Sequence, residues 1–414
     1  MSKQQAKTMR PIQYIRMAAM ALAVACMPNS ARADDTCVFA TTADDVPPNI
    51  VILLDNGASM EEITWHPLYN NSTSHTPSNC TDVVQNSPSG TGFCRDKGYA
   101  IKVSGGKYFL VEIPESLVIA ESQFQRMADG DGKSPVWTIK DRPIALPAVP
   151  ANYAVEGVID KAANFRYSRN YLNWIFYGPY SGDGSDLPDK TRFYYAKKAL
   201  MTVAKLAANR AQFSIYNFTA NANGASSVQP LGLVVDPPLA TDPADNTLDP
   251  NYINNINNMG TVTYSPLAEG LATIGGYYNS PSSKVVATYC TENFALVVSP
   301  GLSSEDQSPA AGSFPSSFSD YDGDQSGIGE GKIKKDLSIY DIPVNRSGST
   351  HLDDVAYALF TRDVVGYRPG LQNLRTYTVG FMGDVLNNLF LINASNNGNG
   401  KLNLYDSTDK YYGK

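Results

Sequence analysis

The chain has few cysteines and histidines, no excess of positive charge, and no long apolar run after its first 33 residues. Its 414 residues include five cysteines and three histidines, and 33 Lys and Arg stand against 40 Asp and Glu, a net charge of -7. An acidic chain lacks the basic surface that binds nucleic acid. No later stretch has the ~20 apolar residues of a membrane-spanning helix. The sequence therefore argues against nucleic-acid binding and against a transmembrane span.

Familiar catalytic motifs are also missing. The sequence has no Gly-x-Ser-x-Gly turn of a serine hydrolase, and its three histidines, His66, His75 and His351, are scattered. The stretches GDGKS and GIGEGK carry Met127 and Ser326 where a phosphate-binding loop requires glycine. We therefore expect a protein that is not an enzyme.

Residues 1–33 have the pattern of a secretory signal peptide. Basic residues precede the apolar run Met17 to Met27, and Ala31-Arg32-Ala33 is typical of a cleavage site. We expect a mature chain that begins near Asp34 and is exported to the periplasm or the outer surface. An alternative is lipidation of Cys26, although the large aliphatic residue usual three positions upstream is absent.

Export would leave four cysteines in the mature chain: Cys37, Cys80, Cys94 and Cys290. An even number in an oxidising compartment suggests two disulfides. Because Cys80 and Cys94 lie close together in a segment rich in Gly, Ser and Asn, we prefer to pair them and to pair Cys37 with Cys290. All three pairings remain open. Zinc is not expected, because no two cysteines are two to four residues apart.

Alternating strand and helix patterns predict the fold class. The apolar positions between Asn49 and Leu54 are continuous, as in a strand buried on both faces. Similar runs recur in AQFSIYNFT, NFALVVS and LRTYTVGF, and helical periodicity separates them, most clearly in DKTRFYYAKKALMTVAKLAANR. This rhythm predicts a doubly wound α/β fold with a mostly parallel sheet.

Between residues 61 and 151 the alternation breaks. This segment is rich in Asn, Ser, Pro and Gly, and its one clear hairpin is IKVSGGKYFLVEI, with Gly105-Gly106 as the turn. We predict an irregular or β insertion at 61–151, an α/β domain formed by 34–60 and 152–400, and a tail at 401–414.

Two helix starts are predicted from capping residues. Ser265 followed by Pro266 is expected to cap the helix in YSPLAEGLATIGGYY, and Thr350 is expected to cap the helix in THLDDVAYALFTRDV.

Three loops are predicted to meet at the carboxyl ends of the strands, where such sheets bind ligands. They are Asp55 to Ser59, Gly260 to Ser265, and Ser299 to Ser304. Together they resemble the metal-ion-dependent adhesion site of the von Willebrand factor A domain. That site takes an Asp-x-Ser-x-Ser loop, a Thr from a second loop and an Asp from a third.

The resemblance implies a Ca or Mg site at Asp55, Ser59 and Ser265, with Thr263 as an alternative to Ser265. Two positions depart from the family pattern, because Gly57 replaces the middle serine and Pro300 replaces the third-loop Asp. We therefore favour Asp55 as a residue that ends its strand over Asp55 as a working metal ligand.

A second candidate for a cation is DYDGDQSGIGEG, in which Asp320, Asp322 and Asp324 alternate as the first ligands of a calcium loop do. Position six of such a loop is Gln325 instead of Gly, and position twelve is Gly331. The alternatives are a calcium loop and a solvated Asp/Gly turn.

A series of stretches resembles the amino-terminal half of the PilY family, the tip-associated adhesin and biogenesis proteins of type IV pili. In order, they are NYLNWIF, TRFYYAKKAL, YSPLAEGL, CTENFALVV, YDGDQSG, HLDDVAYALFTRDV and LQNLRTYTVGF. The carboxyl-terminal β-propeller usual in the family is not expected in a sequence that ends at Lys414. The resemblance therefore concerns only the adhesin-like half.

The resemblance implies a non-enzymatic adhesion or assembly module, located at a pilus tip. Its expected partners are minor pilins, the pilus tip complex, or a host or abiotic surface. The alternative is a stand-alone exported scaffold that binds proteins without a metal and has no role in a pilus.

Overall fold

A computed structural model describes most of the chain between residues 47 and 400. The described residues are 47–75, 99–104, 106–112, 136–139, 142–148, 153–162, 164–208, 210–219, 223–283, 285–286, 291–301, 303–322, 331–335, 338–342, 347–368, 370–380 and 385–400. The predicted signal peptide, all five cysteines, Asp324 and the tail at 401–414 lie outside these ranges.

The described residues form fourteen strands and six α-helices. The strands are β1 (Asn49–Leu54), β2 (Tyr99–Ser104), β3 (Lys107–Glu112), β4 (Val136–Ile139), β5 (Arg142–Ala145), β6 (Tyr153–Val155), β7 (Val158–Asp160), β8 (Phe165–Tyr167), β9 (Gln212–Phe218), β10 (Ala225–Gly232), β11 (Asn293–Ser299), β12 (Gly331–Lys335), β13 (Ser338–Ile342) and β14 (Arg375–Gly380). The helices are α1 (Arg169–Phe176), α2 (Arg192–Ala207), α3 (Pro250–Asn258), α4 (Leu267–Asn279), α5 (Leu352–Thr361) and α6 (Val385–Asn397). No helix among them combines the length and apolar composition needed to cross a membrane.

The chain divides into two compact units, one of Met1–Gly57 with Ala196–Lys414 and one of Ala58–Tyr195. The smaller unit continues past residue 151, where the predicted insertion ends. Residues beyond 151 belong to the smaller unit because β8 pairs with β2 as an antiparallel neighbour and α1 contributes to the same core.

The larger unit contains a five-stranded sheet in the order β10-β9-β1-β11-β14. Strands β9, β1, β11 and β14 are parallel, and only the edge strand β10 is antiparallel. Every residue of β1 and β11 is buried, which explains their continuous apolar runs. The predicted α/β class with a mostly parallel sheet is confirmed.

Helices α4 and α5 pack with the sheet in one apolar core. This core includes Val51 and Leu53 of β1, Leu271 of α4 and Leu359 of α5. A parallel sheet requires apolar cover, since its inner strands carry apolar side chains on both faces. This packing places α4, and the loop that precedes it, beside β1.

The predicted capping residues of α4 and α5 do not cap them. Helix α4 starts at Leu267, one position later than predicted, and its N-cap residue is Pro266, which has no side-chain acceptor. Ser265 therefore lies before the N-cap position, and its hydroxyl donates to Asp55. Helix α5 starts at Leu352 with His351 at its N-cap position. Thr350 is buried, and its hydroxyl has no hydrogen-bond partner within the described part of the chain. Both predictions of a cap were wrong.

Within its described residues, the smaller unit contains the short antiparallel strands β2 to β8 and helix α1. Strands β2 and β3 form the predicted hairpin, with Gly106 at a φ of 72° in its turn. Helix α1 begins after Ser168, whose hydroxyl accepts a hydrogen bond from the Tyr171 amide. The core of the smaller unit is strongly aromatic and includes Tyr167 and Trp174.

Candidate functional site

Asp55 directly follows β1 and is fully buried. Its Oδ1 accepts hydrogen bonds from the Gly57 amide at 2.7 Å and from the Ser265 hydroxyl at 2.9 Å. Its Oδ2 accepts a hydrogen bond from the Ser299 hydroxyl at 2.7 Å. One carboxylate thus links the loops that follow β1 and β11 to the loop that precedes α4.

Asn56 makes a second set of links from the same loop. Its Nδ2 donates to the carbonyl of Gly260 at 2.9 Å and to that of Phe218 at 3.3 Å, and its Oδ1 accepts from the Phe218 amide at 2.9 Å. Its own carbonyl accepts from the Val262 amide at 2.7 Å. Asn56 was not among the predicted site residues, although a buried amide side chain at a strand end needs such partners.

The loop after β11 is tied to the start of α4 by a reciprocal pair. The Ser265 amide donates to the Ser304 hydroxyl at 3.0 Å, and the Ser304 amide donates to the Ser265 carbonyl at 3.1 Å. The Ser299 hydroxyl also accepts from the Gly301 amide at 3.1 Å. The three predicted loops therefore do meet, and they are joined by hydrogen bonds.

Gly57 is the residue that makes room for this arrangement. A Cβ atom at residue 57 would lie 2.0 Å from the Ser265 Oγ and 3.1 Å from the Tyr264 carbonyl oxygen. A serine at this position, as in the Asp-x-Ser-x-Ser pattern, would therefore displace Ser265 from Asp55.

The residues around Asp55 do not fit a Ca or Mg site. Such cations take six or more oxygen ligands, several of them carboxylates or waters. Here one buried carboxylate already accepts three hydrogen bonds, and Pro300 offers no second carboxylate. Ser59, the other predicted ligand, belongs to the smaller unit, where its carbonyl accepts from Arg192 at 3.4 Å.

The second candidate site contains a residue that the calcium-loop pattern did not predict. Asp320, Asp322 and Asp354 each offer a carboxylate oxygen, and these oxygens all lie within 4.8 Å of one another. Asp354 is fully buried on α5, Asp322 is half-buried and Asp320 is exposed. These three acids could hold a metal ion.

Hydrogen bonds hold the Asp322 loop against two helices. Asp354 Oδ1 accepts from the Tyr321 amide at 2.5 Å, and its Oδ2 lies 3.0 Å from His351 Nδ1. Asn397 of α6 donates to Asp322 at 2.5 Å. The fold therefore supplies Asp354 from a helix that is distant in sequence, and a spacing rule within one loop could not identify it.

A scan against protein-family models and searches of curated proteins and of solved structures return no match for this chain. The chemistry of the Asp55 site and of the Asp354 cluster therefore follows from their own residues. Asp55, buried and surrounded by donors, is suited to linking loops. The Asp354 cluster, with acids that reach the surface, is suited to a hard cation.

Two buried carboxylates support the loop after β11. Asp306 accepts from the Ala268 and Glu269 amides at the start of α4, at 3.0 and 2.9 Å, and from the Ser349 hydroxyl at 3.1 Å. Glu269 accepts from the amides of Gly224, Gln307 and Ser308. Asp306 thus caps α4 from another loop, in the position predicted for Ser265.

Burial raises the pKa of Asp306 to about 7, against an ordinary value of 3.8, although its three donors oppose this shift. The folded state then retains a proton that the unfolded chain releases. The stabilising contribution is present in full below pH 3.8 and is lost as the pH rises through 7. We expect the free energy of unfolding to fall by roughly 2–4 kcal/mol from this group across that interval.

Urea unfolding at several pH values, with wild type and Asp306→Asn, tests this prediction. The asparagine does not titrate, so the difference in unfolding free energy between wild type and variant should fall as the pH rises. A difference that stays constant between pH 4 and pH 8 would contradict it.

In the smaller unit, the His66 side chain joins two loops. Its Nδ1 accepts from the Leu68 amide at 3.1 Å, and its Nε2 lies 3.3 Å from Asp186. Tyr180 donates to the same carboxylate at 2.5 Å. Both ring nitrogens therefore have protein partners, which favours a structural role.

Proposed function

We propose that this chain is a non-enzymatic adhesion or assembly module of a type IV pilus. In this proposal it binds minor pilins or an external surface through the loops at the carboxyl ends of its sheet. The observation that carries the proposal is the ordered series of stretches, from NYLNWIF to LQNLRTYTVGF, that resembles the PilY family.

The sheet supports the finer proposal of a von Willebrand factor A-like domain. Its central strand β1 has parallel neighbours on both sides, and the antiparallel strand β10 lies at one edge. An acidic residue follows the central strand, and serine hydroxyls from two further loops reach it. The resemblance implies the acid and the second-loop hydroxyl, whereas Ser299 precedes Pro300, which stands where the family pattern has an Asp.

We further propose calcium as the ligand of Asp320, Asp322 and Asp354. Calcium prefers carboxylate oxygens in a flexible set, completed by carbonyls and waters. At a free calcium concentration ten times the dissociation constant, binding should raise the free energy of unfolding by about 1.4 kcal/mol. Thermal unfolding with and without calcium measures this change.

Matched variants separate the site from general charge effects. Asp354→Asn should abolish the calcium-dependent stabilisation, whereas Asp245→Asn, which changes an exposed acid in the same unit, should leave it intact. Equal calcium effects in wild type and Asp354→Asn would contradict the assignment of the site.

The pilus function is tested by deleting the gene from the bacterium that carries it. We expect fewer surface pili or weaker adhesion, restored by the wild-type gene. In the restored strain, an epitope-tagged chain should be recovered in the sheared pilus fraction and should co-precipitate a minor pilin detected by its own antibody. An untagged strain is the control.

The second candidate function is an exported scaffold without a pilus role. The hydrogen bonds that join the loops around Asp55 favour this scaffold, because they form without a cation. Normal piliation and adhesion in the deletion strain, with the tagged chain absent from the pilus fraction, would favour the scaffold over the pilus module.

A further inference from the structure

We propose that two serine hydroxyls take the place of a cation at the carboxyl end of this sheet. In this inference Asp55, Ser265 and Ser299 form a clasp that holds three loops in one arrangement without a metal. The clasp orders these three loops whether or not the chain acts at a pilus.

The first support is the number and type of donors around the carboxylate. Two hydroxyls and one backbone amide donate to Asp55 at 2.7 to 2.9 Å. A buried carboxyl group is costly unless hydrogen bonds satisfy its oxygens, and here protein donors supply those bonds.

The second support is that the clasp residues depend on one another. The space that a side chain at residue 57 would occupy is filled by the Ser265 hydroxyl, 2.0 Å from the Cβ position. Gly57 is therefore a requirement of the bond between Ser265 and Asp55. The absence of a side chain at residue 57 and the position of the Ser265 hydroxyl are two parts of one arrangement.

The third support is the loop after β11. Ser299 donates to Asp55 and accepts from the Gly301 amide, so its hydroxyl closes the turn around Pro300. Ser299 is fully buried, as Asp55 is, and Ser265 is 4% exposed. A hydrated cation would have to displace these hydroxyls from a closed interior.

Hydrogen–deuterium exchange of the full mature chain tests the clasp. Peptides that cover residues 49–57, 260–268 and 296–301 should exchange at the same rate in EDTA and in millimolar magnesium or calcium. Ser299→Ala should accelerate exchange about tenfold in all three peptides, because one lost bond loosens loops that share an acceptor.

Ser313→Ala is the matched control. Ser313 is also a buried serine of the larger unit, but its hydroxyl has no hydrogen-bond partner among the described residues. This variant should leave exchange in the three loops unchanged. Asp55→Asn keeps one oxygen acceptor and should show a smaller acceleration than Ser299→Ala.

Two outcomes would overturn the clasp. One is cation-dependent protection of residues 49–57 and 296–301 in wild type that disappears in Asp55→Asn, because a cation would then bind Asp55. The other is acceleration confined to residues 296–301 in Ser299→Ala. Cation-dependent protection confined to residues 318–322 and 350–354 supports the clasp, because the cation then acts at the Asp354 cluster. The cation arm uses wild type and Asp55→Asn, so it decides even if Ser299→Ala fails to fold.

Discussion

Asp55→Ala is expected to lower the free energy of unfolding of the larger unit by about 4 kcal/mol, because three buried donors lose their acceptor at once. The donors are the Gly57 amide and the hydroxyls of Ser265 and Ser299. Asp55 is fully buried, so water cannot freely replace its carboxylate. Urea unfolding of the mature chain measures the loss.

The control for this prediction is Asp245→Ala, which removes an exposed acid from the same unit and should change stability by less than ~0.5 kcal/mol. Asp55→Asn should fall between the two, because it retains one acceptor and introduces one donor. An Asp55→Ala protein as stable as the control would show that Asp55 only ends its strand.

The second large effect is expected from Gly276→Ala in α4. In a helix interior this change normally stabilises a protein by up to ~1 kcal/mol. Here a Cβ atom would lie 2.1 Å from the Gly312 carbonyl oxygen and 2.9 Å from the Ser313 Cα, both backbone atoms. Backbone cannot rotate away as a side chain can, so we expect a loss of about 3 kcal/mol.

Gly366→Ala is the matched control, because a Cβ atom there would meet nothing within 4 Å. Gly275→Ala, whose Cβ atom would lie 2.2 Å from the Phe314 carbonyl oxygen, should behave like Gly276→Ala. Thermal unfolding of the three variants would contradict the prediction if Gly276→Ala were as stable as the control.

The strands of the sheet were predictable because burial leaves a local mark. A strand between two parallel neighbours is buried on both faces, and the continuous apolar runs inside β1 and β11 show this without knowledge of their partners. The hairpin of β2 and β3 was equally local, since its turn needs glycine.

The capping errors show where local reasoning stops. Ser265 has the sequence of an N-cap, yet its hydroxyl bonds to a carboxylate 210 residues away, and Asp306 caps the helix from a different loop. Helix α4 begins one residue later than the capping pattern predicts, so its N-cap position is Pro266, which has no side-chain acceptor for the first-turn amides. Asp354 was not predicted as a ligand. An acid in the first turn of a helix is already explained by its favourable interaction with the helix dipole.

The sequence by itself determined the fold class and the residue types available at the strand ends, because periodicity and composition act over a few residues. Only the tertiary structure decided which of those residues meet. The order of the strands brings Asp55 to Ser299 across 244 residues, and the packing of α5 brings Asp354 to Asp322. Such contacts depend on strand order and helix docking, which are properties of the folded core and leave no local pattern in the chain.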